Sequence, residues 1–279
     1  MKTNKIIWKN EKIYDHATIV ERINLIEKHM NGLLPLYGKE KENLILYAKK
    51  NNLSAYEIIS LRNTIRIQKE INSSKKFMQS IGMIKNKFKN LILELKNHDQ
   101  NKNNSKIKYF LKSTNMPFFF FLKTITVMPE FKELTAANIN FIKKLDTIVH
   151  KIETEIRERS MKFEHILENY LKSLNIEFRT ETDIKRDKDY NVTPDILFDE
   201  PIVIELGGTS YMIRWLDAKN YLLTDTSFIM KSLQKQAAKY NDIFGMGAFV
   251  FHYGFDSSIK IPGVLILDGS MIEKNTMSS

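Results

Sequence analysis

Two apolar runs joined by adjacent glycines constrain this chain more than any other feature. Ile202 to Leu206 and Tyr211 to Ala218 flank Gly207-Gly208-Thr209-Ser210. Glycine reaches positive φ without a steric penalty, so runs of this kind on either side of a glycine pair read as an antiparallel hairpin. Ile196-Leu197-Phe198 forms a short strand before it, with Asp199-Glu200-Pro201 read as a turn. Ile176 to Arg179 alternates like a strand, Thr180 to Asn191 is polar, and Thr226 to Asp242 has helical character. Ala248 to Tyr253 and Val264 to Leu267 are unbroken apolar runs suited to buried strands. Strands, a helix and further strands predict an α/β domain from about Ser160 to the end.

Upstream the period changes from two to 3.6. Ala17 to Met30 and Glu40 to Lys50 carry apolar residues at helical spacing. Asn51-Asn52-Leu53 breaks the pattern, and Ser54 with Glu57 three residues on forms a capping-box signature. A second helix follows to about Ile71. Helix, short turn and helix is a helix-turn-helix pattern, with Arg62, Arg66 and Lys69 on the second helix as candidate nucleic-acid contacts. For an isolated pattern of this kind a plain helical hairpin is the preferred reading. Lys106 to Lys112, a turn at Ser113 to Met116, and a helix with Pro117 at its first position repeat the arrangement. Phe118 to Leu122 read as core, since consecutive aromatics on a buried helix point all round. Lys75 to Lys96 is basic and amphipathic, Asp99 to Asn104 is read as a polar loop, and Phe131 to about Leu174 as helix with a break near Ser160. The domains expected are 1–159, helical and basic, and 160–279.

Charge is divided in the same way. Residues 1–160 hold 30 Lys and Arg against 16 Asp and Glu, and residues 161–279 hold 13 against 17. A basic front and a slightly acidic back suit a nucleic-acid-binding region joined to a metal site; a solvated lysine surface explains the front as readily. The chain has no Cys, so disulfides and thiolate metal sites are excluded and any metal must be held by oxygen or imidazole. The first residues lack a signal-peptide core, and no apolar stretch approaches a membrane span. The expectation is a soluble intracellular protein, cytoplasmic, or nuclear in a eukaryotic cell.

Thr193-Pro194-Asp195 opens one strand, and Trp215-Leu216-Asp217-Ala218-Lys219 ends another. Asp217 and Lys219 are two apart, so both project from one face of a strand. Pro194 suits a strand's start because it has no N–H to give to a ladder. Two carboxylates converging on one point can bind Mg²⁺ or Mn²⁺, which polarises a phosphate and acidifies a bound water. Lys219 would neutralise developing charge or orient the attacking water. The six histidines, His16, His29, His98, His150, His165 and His252, show no ligand spacing.

The segments TPDILFDEPIVIEL, IRWLDAKNY and QKQAAKYNDIFGMGAFVFHYGF resemble the TPD-motif branch of the PD-(D/E)xK nuclease superfamily, and within it the codanin-interacting nuclease family. The resemblance covers Lys162 to Phe255 and is architectural before it. It implies an all-α, helix-turn-helix-containing N-terminal half and an α/β restriction-endonuclease-like C-terminal domain, an α+β chain in two parts, with likeness to archaeal Holliday-junction resolvases. Carried over, it implies Asp195 and Asp217 as metal ligands and Lys219 as the catalytic lysine. Asp217 stands where many relatives have Glu. Glu164 matches the helical acid that supports the metal or its water, with Glu168 one turn along as its rival. Gln236 matches a glutamine facing the active site, and Tyr240 is a weaker candidate one turn later. His252-Tyr253-Gly254-Phe255 is read as structural.

The function expected is a Mg²⁺- or Mn²⁺-dependent nuclease that hydrolyses phosphodiesters in DNA, an endonuclease or a structure-selective nuclease. RNA carries the same chemistry and stays open as substrate. The alternative is a nucleic-acid-binding or protein-interaction adaptor that uses a nuclease fold without turnover, since relatives are named for a protein partner. Resolvase-like relatives act as dimers, so the resemblance also admits a homodimer.

Overall fold

The computed structural model describes residues 4–30, 32–79, 81–96, 100–188 and 190–277. In chain order these form β1 (Lys5–Trp8), β2 (Ile13–Tyr14), α1 (His16–His29), α2 (Gly38–Lys50), α3 (Ala55–Gln79), α4 (Ile81–Lys96), α5 (Gln100–Thr114), α6 (Phe118–Val127), a 3₁₀ turn (Pro129–Glu133) and α7 (Ala136–Ser173). Then come β3 (Arg179–Thr180), α8 (Glu181–Asp187), β4 (Ile196–Leu206), β5 (Thr209–Lys219), α9 (Ser227–Phe244), β6 (Gly247–Phe251), β7 (Phe255–Asp256), β8 (Val264–Asp268) and α10 (Ser270–Met277). Two compact units result: Ile23–Glu155, and Met1–Arg22 together with Ile156–Ser279. Among the described residues no helix is long and apolar enough to cross a membrane.

The unit Ile23–Glu155 is helical. The expected break after α2 is present: Asn52 takes φ 52, Leu53 N–H reaches Ala48 O at 2.9 Å, and Asn52 N–H reaches Lys49 O at 3.3 Å. This is a Schellman close, which asparagine tolerates because its short polar side chain suits the left-handed conformation. Phe88, Ile107, Leu111, Phe121 and Ile125 lie in its core. The phenylalanine run is more one-sided than expected, for Phe118 and Phe121 are buried while Phe119 is 75% exposed. Pro117 stands as the N-cap of α6 and not at its first turn position. The expected polar loop is displaced too, since α5 begins at Gln100; Asp99 and His98 lie outside the described residues.

The other unit is built on a mixed sheet ordered β1-β4-β5-β6-β8, with β3 also beside β4. β4 and β5 form the antiparallel hairpin; β5, β6 and β8 run parallel. Successive strand residues point to opposite faces, so the sheet carries two cores. On one face Phe163, Leu167 and Leu171 of α7 pack with Ile204, Ile213, Leu216, Ala248 and Val250. On the other, Ile229, Leu233, Ala237, Tyr240 and Phe244 of α9 pack with Leu197, Trp215, Phe249 and Phe251. The Trp215 ring lies so close over Gly247 that a Cβ there would stand 2.0 Å from it.

Several expectations are corrected. The chain is not all-α before Asn175, because β1 pairs in parallel with β4, Lys5 opposite Val203 and Trp8 opposite Leu206. Asp199-Glu200-Pro201 is not a turn between strands. β4 runs through it with a register shift between Leu197 and Ile202, where a proline lacking N–H is tolerated. α7 is unbroken at Ser160, whose hydroxyl donates to Ile156 O at 3.2 Å within the helix. The polar stretch from Thr180 contains α8, closed by a capping box between Thr180 and Asp183. Its Thr-x-x-Asp spacing is the sequence signal that marks it.

Candidate active site

The β4–β5 ladder brings Ile196 opposite Leu216 and Leu197 opposite Trp215, and goes no further. Asp195 stands one residue before β4. Its Oδ2 accepts the Ala218 N–H at 2.7 Å, so a side chain takes the ladder's place at the end of β5. That one bond brings Thr193-Pro194-Asp195 against Asp217-Ala218-Lys219. Asp217 is 3% exposed and forms an ion pair through Oδ1 with Lys219 Nζ. Gln236 on α9 donates from Nε2 to Asp217 Oδ2 at 2.7 Å and to Tyr240 Oη at 2.9 Å. Tyr240 Oη in turn donates to Thr193 O at 2.9 Å. One turn of α9 therefore ties both acidic segments together, and the Tyr240 ring is fixed edge-on to Trp215 at 5.0 Å.

The electrostatics follow from crowding acids in a half-closed site. Burial first, then the Asp217 charge, push the Asp195 carboxyl well above the usual carboxylate range, against the opposing pull of the Ala218 N–H and Lys219. Glu164 on α7 is raised by burial, by Glu181 and by Asp217. Burial and the Asp217 charge likewise raise the Tyr221 and Tyr240 hydroxyls. Glu168, the rival to Glu164, is engaged elsewhere, with Lys172 Nζ at 3.4 Å and His165 Nδ1 at 3.6 Å.

One acid escaped the sequence reading. Glu181, the first residue of α8, accepts the Thr193 hydroxyl at 3.1 Å, and its N–H donates to Asp195 O at 3.2 Å. Its charge acts on Glu164 more strongly than that of Asp217. Recognising the α8 cap would have placed it at a helix start, but not beside Asp195.

Of the candidate contacts on α3, Arg62 is not brought to a free surface. Arg62 is fully buried, donating to Glu40 Oε1 at 2.9 Å and to Leu34 O at 2.6 Å. This corrects its expected nucleic-acid contact, because a guanidinium closed off from solvent cannot meet a phosphate. Arg66 pairs with Glu70 at 2.7 Å and Lys69 with Glu27 at 3.0 Å.

Whether a divalent cation fits can be tested on these donors. The set is all oxygen, as Mg²⁺ and Mn²⁺ prefer. Mutual repulsion between Asp195 and Asp217 is the condition a dication relieves, and Asp195 Oδ1 accepts no hydrogen bond from described residues. Among the described residues no three acidic or histidine side chains stand as a ready-made ligand cluster. The pair therefore fits in chemistry, with a third ligand still to be drawn in from water, substrate or a neighbouring acid.

Comparison with known proteins agrees with the motif. A family model described as "Protein of unknown function TPD sequence-motif" matches residues 131–270. This chain belongs to the TPD-motif family. The protein L539 of Acanthamoeba polyphaga mimivirus, described as uncharacterized, is 45% identical over 269 residues, 96% of each chain. CDAN1-interacting nuclease 1 of Danio rerio is 29% identical over 128 residues, 45% of this chain and 38% of that protein. No solved structure matches. Both the TPD motif and the likeness to a codanin-interacting nuclease thus rest on more than the residues that first suggested them.

Proposed function

We propose that this TPD-family chain is a divalent-metal-dependent nuclease that hydrolyses phosphodiester bonds in DNA. The observation that carries the reading is the bond from Ala218 N–H to Asp195 Oδ2, which brings two acids from separate segments beside Lys219. The likeness to a protein named as a nuclease supports it. So does the architecture, a hairpin followed by parallel strands between α7 and α9, which we read as restriction-endonuclease-like.

In this reading Asp195 and Asp217 hold Mg²⁺ or Mn²⁺. The bound ion supplies Lewis acidity toward the scissile phosphate and acidity to a water. Gln236 keeps Asp217 oriented through Oδ2. The Lys219 ammonium, held beside Asp217, meets the negative charge that grows on the phosphate oxygens. Glu164 accepts a hydrogen bond from the attacking water. A water oxygen adds to phosphorus, its proton passes to a carboxylate oxygen, the bond to the leaving strand oxygen breaks, and that oxygen takes a proton from solvent water. The helical unit, with a Schellman turn between α2 and α3, would contact the phosphate backbone in a helix-turn-helix manner, though without Arg62.

The rival is an adaptor that keeps the fold without turnover, which the name of the zebrafish relative brings to mind. One experiment separates the two. Labelled single strand, duplex, flap, fork, four-way junction and RNA are incubated with the protein under Mn²⁺, Mg²⁺ or EDTA, beside Asp195→Ala and Lys219→Ala. Metal-dependent cutting lost in both variants is expected. Binding without cutting under every metal, with no thermal stabilisation by Mn²⁺, would move the assignment to the adaptor.

A further inference from the structure

At its C-terminal end β5 keeps only one of its two ladders. Its pairing with β4 ends at Leu216, so Asp217, Ala218 and Lys219 are laddered to β6 alone, opposite Phe249, Val250 and Phe251. The chain then leaves the strand, and the Lys219 carbonyl accepts both the Tyr221 and the His252 N–H at 2.9 Å. A long lysine side chain on the last residue of a half-laddered strand needs further restraint to keep one place.

A row of side chains supplies that restraint. Asn220 Oδ1 lies 2.8 Å from His252 Nδ1, and His252 Nε2 lies 2.6 Å from Glu273 Oε1 on α10. Asn220 Nδ2 donates to Ser160 Oγ at 3.4 Å. The Ser160 hydroxyl is itself spent on Ile156 O, so Ser160 acts as the acceptor, which fixes the Asn220 amide with its oxygen toward the imidazole. The His252 ring is clamped parallel to Phe163 at 4.2 Å and to Tyr253 at 4.3 Å. Phe163 packs closely on Gly269, where a Cβ would stand 2.7 Å from its ring.

Ser160 and Glu164 are four apart on α7, one turn along the same face. The row thus joins the helix bearing Glu164 to the strand end bearing Lys219. We infer that Ser160, Asn220, His252 and Glu273 form a positioning network for the candidate centre, holding the end of β5 so that the Lys219 ammonium stands against Asp217. The inference rests on the nuclease reading for its catalytic consequence, though not for its effect on Lys219 itself.

The test uses the full chain with Asn220→Ala, which removes a half-buried amide, and Asn220→Asp, which keeps an acceptor for His252. Labelling of Lys219 by an amine-acylating reagent, read by mass spectrometry, reports the ammonium's placement without substrate. Lys219 is expected to label several-fold faster in Asn220→Ala and at an intermediate rate in Asn220→Asp, with thermal midpoints close to that of the parent. On the preferred substrate, kcat should fall about tenfold with KM little changed, since partners behind a site's own groups typically cost ten- to a hundredfold. Unchanged labelling in Asn220→Ala overturns the network. Faster labelling that merely tracks a large loss of thermal stability, or that Asn220→Asp does not restore, does so as well. A parent protein that cuts nothing while Asn220→Ala still exposes Lys219 would sink the nuclease reading and leave the network standing.

Discussion

Gln236 shows how much one side chain can fix. Its amide serves Asp217 and Tyr240 together, so removing it frees a buried carboxylate and loosens the Thr193 carbonyl through Tyr240. Gln236→Ala is expected to weaken Mn²⁺ binding at least about tenfold, read from the metal dependence of the thermal midpoint, while the fold persists. A midpoint that responds to Mn²⁺ as in the parent protein would remove Gln236 from the site. Arg62 is the contrary case at the same scale. Arg62→Ala strands Glu40, itself only 8% exposed, and is expected to cost about 3 to 5 kcal/mol in urea unfolding. A surface contact to nucleic acid would cost far less. Position on a helix separated neither side chain's surroundings, for one reason: Gln236 meets Asp217 and Arg62 meets Glu40 only in the folded chain. An arginine on a helix looks the same whether its neighbour across the turn is solvent or a buried glutamate.

Between elements, polar links of long sequence separation close the sheet-bearing unit. The segment between β1 and β2 crosses to the end of β8, where Asp268 Oδ2 accepts the Glu11 and Lys12 N–H groups at 2.6 and 3.0 Å and Trp8 Nε1 donates to Asp268 O at 3.1 Å. β2 pairs with β7, and His16, two residues past β2, places Nδ1 2.7 Å from Oδ2 of Asp256 at the end of β7. The Asp256 hydrogen bond and charge raise His16 above its usual range. Burial pushes Asp256 up, but hydrogen bonds from Ser258 and His16 outweigh it and hold that carboxyl below its usual range. The raised histidine contributes stability in full below its usual 6.5 and loses it as pH rises through the folded value. The depressed aspartate contributes above its usual 3.8 and loses it as pH falls through the folded value. His16→Gln should therefore lower the urea midpoint at pH 5 and have little effect at pH 9. Equal losses at both pH values would show that the pair's charge contributes nothing.

At the scale of the molecule, the unit carrying the candidate site is discontinuous in sequence. A boundary at residue 160 severs it from β1, which covers the edge of β4 from Val203 to Leu206. Deletion of residues 1–14 exposes that edge and strips Asp268 of the N–H groups of Glu11 and Lys12. The shortened chain is expected to lose the cooperative thermal transition of the sheet unit in circular dichroism, or to aggregate through the bare strand edge. An unchanged transition would mean that β1 is dispensable. The segment Ile23–Glu155 is contiguous and has its own core, so expressed alone it should melt cooperatively as a helical protein.

What the sequence determined by itself is local. Periods of two and 3.6 separate strand from helix, Gly207-Gly208 sets the hairpin, and two-residue spacing puts Asp217 and Lys219 on one face. The TPD motif and its family membership were legible because their residues lie close together in the chain. The tertiary structure alone decided that Asp195 docks on Ala218 N–H, that Glu181 joins the acids, that Arg62 is buried against Glu40, and that β1 completes a sheet almost 200 residues away. Each of these is a pairing between distant segments. Its partner is chosen by which surfaces the two cores bring together, and a single residue carries no periodicity that would announce it.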